Sequence, residues 1–293
     1  MLRFNNTSII QGAAIAVFCA FLLACNGDDG DKVVSSEFVE TAQIYATIDV
    51  YSNTATAAYA SVQLTKDAAP RDNTPGDEYV KLQAGDQLWM TTGTNLDDID
   101  LNGNLFSGLE DLSKTQELFE SEIQGYPVFP LFFFFWSAIY ETQVNYNGRL
   151  NDVDEGASYT VSLLREYKQD ARYSTVTMPL GFDLTAPQTT DEFSRSEDDL
   201  LIEWWPVEDG VNVEISLNTD CPAFGSDSVL IYPDEDEGLA LIEAGALASE
   251  NLGGNCTTSL TLAKRRTGQL DASFTGGYIS ANQVRSLSFT TTD

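Results

Sequence analysis

The stretch Leu200-Leu201-Ile202-Glu203-Trp204-Trp205-Pro206 alternates along its length. Leu200, Ile202 and Trp204 fall on one side and Leu201, Glu203 and Trp205 on the other. That period of two marks a strand with one face in a core. Pro206 closes the run because it cannot donate to a ladder. Glu208-Asp209-Gly210 then turns the chain, and Val211, Val213, Ile215 and Leu217 repeat the alternation. Residues 258–262 and 284–290 supply further strands, and residues 239–247 read as a helical insertion.

The same pattern runs toward the N-terminus. Ile44, Ala46, Ile48 and Val50 fall in step over 43–50, and Ala58, Ala60, Val62 and Leu64 over 58–64, with Asn53-Thr54 as a hairpin tip. Short strands at 79–82 and 87–91 flank a turn at Ala84-Gly85-Asp86. Residues 140–146, 159–164 and 174–178 extend the β pattern, with Asn147-Gly148 and Glu155-Gly156 marking turns. One short helix is predicted over 109–123. Ser107 and Glu110 form a capping box before it, and Leu109, Leu112, Leu118 and Ile123 make an approximate apolar stripe. Thr185-Ala186-Pro187-Gln188-Thr189-Thr190-Asp191 lacks periodicity and reads as a linker.

The 200–206 stretch resembles the second strand of fibronectin type III modules, where Leu-x-Val/Ile-x-Trp-x-Pro sets the Leu, Ile and Trp inward. The closing Ser286-Leu287-Ser288-Phe289-Thr290-Thr291 resembles their last strand. The resemblance covers 185–293 and implies a β-sandwich there; residues 37–184 form a preceding β-rich sandwich domain of similar architecture. The predicted fold class is all-β, with two tandem immunoglobulin/fibronectin III-like β-sandwich domains and one short helix in the first.

Leu22-Leu23-Ala24-Cys25 resembles a bacterial lipobox. Arg3 gives a positive n-region, 9–23 is apolar except for Gln11 and Gly12, and small Ala24 precedes the cut. The apolar stretch is too short to span a bilayer comfortably. The resemblance implies a lipoprotein signal peptide over 1–24 and lipidation of Cys25. Residues 25–36 then carry the anchor and an acidic tether, Asn26-Gly27-Asp28-Asp29-Gly30-Asp31, with nothing to bury. With Asn26 rather than Asp after the cysteine, the enteric sorting rule implies the outer membrane.

Composition narrows the partners. The chain has 293 residues, 45 acidic against 15 basic, for a formal charge of −30, and no histidine. Nucleic acid and anionic lipid surfaces would repel it. Of four cysteines, Cys19 leaves with the signal and Cys25 carries lipid. Cys221 and Cys256 are left to pair in an oxidising compartment.

Four segments are candidate sites. Asp98, Asp100 and Asn102, followed by Gly103, have the oxygen spacing of a calcium loop, although Leu109 stands where a bidentate Glu would close an EF-hand. The segment binds calcium or is a solvated acidic loop; no other cofactor is expected. Phe129-Pro130-Leu131-Phe132-Phe133-Phe134-Phe135-Trp136 is a strand buried on both faces, or an exposed patch through Phe132, Phe134 and Trp136. Trp205, opposite Trp204, stacks on a sugar or is covered by a neighbouring segment. Tyr232-Pro233-Asp234-Glu235-Asp236-Glu237-Gly238 is a solvated acidic loop or binds a cation or a basic partner.

Without histidine, a Ser-His-Asp triad and His-ligated zinc are excluded. No phosphate-cradling glycine loop or dinucleotide fingerprint occurs. The expected role is non-catalytic: a lipid-anchored envelope protein that binds a glycan or protein, or scaffolds. One alternative is a structural or assembly subunit of an envelope complex using 129–136. Another is a carboxylate-dependent glycan hydrolase.

Overall fold

In a computed structural model, residues 32–53, 57–69, 77–92, 115–124, 142–151, 156–222, 225–248 and 252–293 are described. The first half contributes β1 (Lys32–Ser35), β2 (Ile44–Ser52), β3 (Ala57–Lys66), β4 (Glu78–Lys81), β5 (Gln87–Thr92), β6 (Thr115–Glu117), β7 (Phe119–Gln124), β8 (Thr142–Asn151), β9 (Ser158–Leu164) and β10 (Ala171–Thr177). The second contributes β11 (Asp183–Ala186), β12 (Glu192–Ser194), β13 (Leu200–Trp205), β14 (Asn212–Cys221), β15 (Gly225–Ile231), β16 (Leu239–Ile242), β17 (Cys256–Thr267) and β18 (Gly276–Thr292).

The alternating residues make two cores. In the first, Ile44, Ala46, Ile48 and Val50 of β2 and Ala58, Ala60, Val62 and Leu64 of β3 are sealed from solvent. They pack with Leu88 and Met90 of β5 and Tyr159, Val161 and Leu163 of β9. Here a sheet running β1-β4-β3-β2, with β8 and β7 branching from β3, joins a second sheet, β10-β9-β5-β6. In the second core, Leu200, Ile202 and Trp204 of β13 pack with Val213, Ile215, Leu217, Leu260, Leu262 and Phe289. Three strands, β11-β13-β16, lie over four, β15-β14-β17-β18. That is a fibronectin type III-like sandwich, and the inward set of the 200–206 stretch is the one expected.

The two halves share a sheet. β18 is 17 residues long. Its first part, Gly276 to Gln283, runs parallel to β2, while β17 accompanies it beyond into the second sandwich. Phe274, Ile279 and Ala281 belong to the first core. Packing therefore crosses the expected division at 184/185. Gly277, at φ 123°, makes the junction possible: a Cβ there would sit 1.9 Å from the Ala46 carbonyl oxygen.

Several expectations are overturned. The predicted helix over 109–123 is, in its described part, β6 and β7; two 3-10 turns, Ser36–Phe38 and Thr41–Gln43, are the helical pieces among the described residues. Phe119-Glu120-Ser121-Glu122-Ile123-Gln124 also alternates at period two and pairs with β8, while Thr115–Glu117 pairs with β5. The Leu118 N–H donates to the Leu88 carbonyl at 2.9 Å, and its side chain is buried. Asn147-Gly148 is no turn but mid-strand in β8, held extended by β3 on one side and β7 on the other. The expected helical insertion at 239–247 begins with β16, paired to β13. The expected linker starts inside β11. The strands at 79–82 and 87–91 do not pair with each other: the turn at Asp86 passes the chain from one sheet to the other.

Candidate functional site

The core positions of β2 and β3 dictate what the outer face carries. With Ile44, Ala46, Ile48 and Val50 inward, Tyr45, Thr47, Asp49 and Tyr51 must point outward. β3 presents Tyr59, Ser61 and Gln63, and register aligns these into rows. One row runs Arg149, Tyr59, Tyr51, Asn282, Arg265 across β8, β3, β2, β18 and β17. A second runs Asn147, Ser61, Asp49, Ser280, and a third Asn145, Gln63, Thr47, Tyr278. Five strands at the usual spacing make a platform about 20 Å wide.

The side chains hold one another in place. The Tyr51 and Tyr59 rings stack with centroids 5.3 Å apart and planes 14° apart. The Arg149 guanidinium lies 5.2 Å from the Tyr59 centroid, and that of Arg265 lies 5.3 Å from the Tyr278 centroid. Asp49 accepts from Ser280 Oγ at 2.5 Å and Tyr278 Oη at 3.4 Å, with Arg265 at 3.8 Å. Burial, then the Asp49 charge, raises the Tyr278 pKa, so it stays a neutral phenol donor. Tyr51 is 39% exposed, and Asn147 and Arg149 are exposed. Tyrosine rings, amides, a carboxylate and guanidinia on one sheet face suit a polyhydroxylated ligand: the ring edges and the uncovered part of Tyr51 meet its apolar patches, and the polar groups exchange hydrogen bonds with hydroxyls. Sequence reasoning missed this array. The signal was present in the odd-numbered partners of an alternating strand, but the pairing that aligns five strands was not.

Trp205 is 65% exposed, so the alternative of cover by a neighbouring segment is overturned. It lies on the outer face of β13 with Leu201 and Glu203, and Leu239 and Leu241 of β16 share that face, the three leucines and Trp205 all at least 40% exposed. The loop at 232–238 is not simply solvated. Asp236 is buried, paired with Lys264 at 2.6 Å, and accepts from Trp204 Nε1 at 2.5 Å and the Glu208 N–H at 2.9 Å.

Cys221 and Cys256 form the expected disulfide, with Cα atoms 4.3 Å apart. They sit at facing ends of β14 and β17, one step past the Asp220–Thr257 pair. Cys25, the candidate calcium ligands Asp98, Asp100 and Asn102, and the Phe132, Phe134 and Trp136 strip lie outside the described residues. Among the described residues no group of three or more metal-ligating side chains gathers. The hollow lined by Phe193, Arg195, Leu200, Ile242, Leu247 and Thr291 has about 10 Å³ free, room for one water and no substrate.

These features define an all-β protein of fibronectin type III-like sandwich architecture with solvent-facing strand surfaces. No family model and no curated protein matches the chain. Among solved structures 49 chains match. One is the crystal structure of the FN1–FN3 domains of chicken CNTN1, at 10% identity and a TM-score of 0.18. The match covers 81% of this chain and 64% of that one, so the chain spans less than two thirds of that structure's length.

Proposed function

We propose that this is a lipid-anchored protein of the bacterial outer membrane whose role is non-catalytic binding, and that its ligand is a glycan held on the outer face of the shared sheet. One observation carries the reading: the row Arg149, Tyr59, Tyr51, Asn282, Arg265 brings aromatic, amide and guanidinium groups from five strands onto one face. Neutral sugar hydroxyls suit this chain, because a ligand rich in negative charge would meet its −30. The Cys221–Cys256 bond fits an oxidising compartment. The lipobox resemblance supplies the anchor at Cys25.

The test is to incubate the full-length protein, in detergent micelles, with a panel of envelope and algal polysaccharides, measuring retention and release of reducing ends together. The expected result is retention without release. Release would overturn the non-catalytic reading, and absence of retention across the panel would overturn the glycan reading. In cells, a Cys25→Ala variant is expected to leave the membrane fraction.

A further inference from the structure

The three-stranded sheet ends at β16, and among the described residues no strand pairs with its far side. The Trp204 N–H donates to the Gly238 carbonyl at 3.0 Å. With Leu239 opposite Glu203 and Leu241 opposite Leu201, the hydrogen-bonded positions are Gly238, Ala240 and Ile242, every second residue of an antiparallel ladder. The N–H and C=O groups of Leu239 and Leu241 therefore point away from β13, to the side where no described strand pairs with them. The same two residues turn their side chains to the outer face, 50% and 56% exposed.

An open backbone edge and an apolar surface thus coincide. Leu201 stands across from Leu241, and Trp205 shares their face, on β13 beyond Glu203. β15, at the edge of the facing sheet, carries Ser226, Asp227 and Ser228, polar guards against chance pairing. Leu239-Ala240-Leu241 carries no such guard. The charges around these leucines have one sign: Glu203 stands between Leu201 and Trp205 and opposite Leu239, Asp183 is opposite Trp205, and Glu237 and Glu243 flank β16, all exposed. Lys264 and Arg195 are turned inward onto Asp236 and Asp293.

We propose that the free edge of β16 is a docking site for an extended segment of a partner protein, which adds a strand to the sheet. The segment carries apolar residues at alternate positions, against Leu239 and Leu241, and lysine or arginine toward Glu237 and Glu243 at the ends of β16. Main-chain pairing supplies affinity, and the alternate side chains and charges supply choice of partner. A second copy of this chain is a poor occupant, since it brings the same carboxylates and the same −30.

The probe is a fluorescein-labelled short peptide of alternating threonine and valine with paired lysines at each end. It is titrated with the full-length protein in nonionic detergent and followed by anisotropy. Saturable binding is expected, weakened at least about tenfold by Leu241→Lys, by N-methylation of alternate peptide nitrogens, and by exchange of lysines for glutamates. Leu241 is more than half exposed, so Leu241→Lys keeps the fold, with unchanged circular dichroism as the control. Glu243→Lys, further from the core, is expected to weaken binding and flatten its salt dependence. No binding, or equal binding of the N-methylated peptide, overturns strand addition. Self-association of the unliganded protein that Leu241→Lys abolishes makes a second copy the occupant and overturns the partner. Polysaccharide retention lies on another sheet and is expected to be unchanged in Leu241→Lys.

Discussion

Lys264 and Asp236 meet at 2.6 Å with both side chains sealed from solvent. Lys264 comes from the middle of β17 and Asp236 from an acidic loop, and the Lys264 ammonium also donates to the Pro206 carbonyl. Arg165 and Asp86 make a counterpart in the first half, buried at 2.7 Å, with the guanidinium also reaching Thr41 Oγ1 and the carbonyls of Ser36 and Val39. In each pair the carboxylate also accepts a backbone N–H, that of Glu166 at Asp86 and that of Glu208 at Asp236.

Breaking such a pair from one side leaves a buried charge. Lys264→Met is expected to cost about 3–5 kcal/mol in urea unfolding. Adding Asp236→Asn should recover part of that loss, because it removes the stranded charge, although its single carbonyl oxygen keeps only one of the two hydrogen bonds that Asp236 accepts on separate oxygens from Trp204 Nε1 and the Glu208 N–H.

The Tyr51–Tyr59 stack makes a separate prediction for binding. Tyr51→Ala should lower polysaccharide retention about tenfold, roughly 1.4 kcal/mol. Its stability cost should stay near 1 kcal/mol, as expected for a partly exposed side chain. Affinity electrophoresis beside urea unfolding separates the two. A parallel loss of both would mark the stack as structural.

Tyr146 supplies a pH signature. It is 2% exposed, donates to the Val80 carbonyl and accepts from the Leu82 N–H. Burial pushes its pKa up to about 12. A raised folded pKa means that stability is intact below the unfolded value near 10 and is lost as pH rises toward 12, by about 2–3 kcal/mol for this group. In a phenolate absorbance titration Tyr146 should ionise later than Tyr278, whose pKa is raised less, and Tyr146→Phe should remove the step near 12.

Reduction of Cys221–Cys256, 35 residues apart in sequence, should lower stability by about 4 kcal/mol in the chain-entropy account. Thermal melts with and without reductant check this. Because the bond joins β14 to β17 at one end of the second sandwich, proteolysis after reduction should begin there and spare the β2–β3 hairpin.

Local alternation was enough to place β2, β3, β9, β13 and β14, because a strand with one buried face writes its period into adjacent residues. The cysteine pair was legible by elimination. The region around Leu118 was not, since a short apolar stripe fits periods of both 2 and 3.6, and only the partners β5 and β8 decide between them. Asn147-Gly148 carries turn chemistry but lies between two ladders that hold it extended.

The amino-acid order by itself determined the all-β class, the Cys221–Cys256 disulfide and the acidic composition, and its resemblance to fibronectin type III strands gave the inward set Leu200, Ile202 and Trp204. Tertiary structure alone decided that β18 crosses from one sandwich into the other, that Asp236 is buried while Trp205 is bare, and that Tyr51, Tyr59 and Arg265 share a face. Those facts depend on which strands lie side by side. Pairing between segments far apart in sequence is set by the closing of the whole core, which no local window contains.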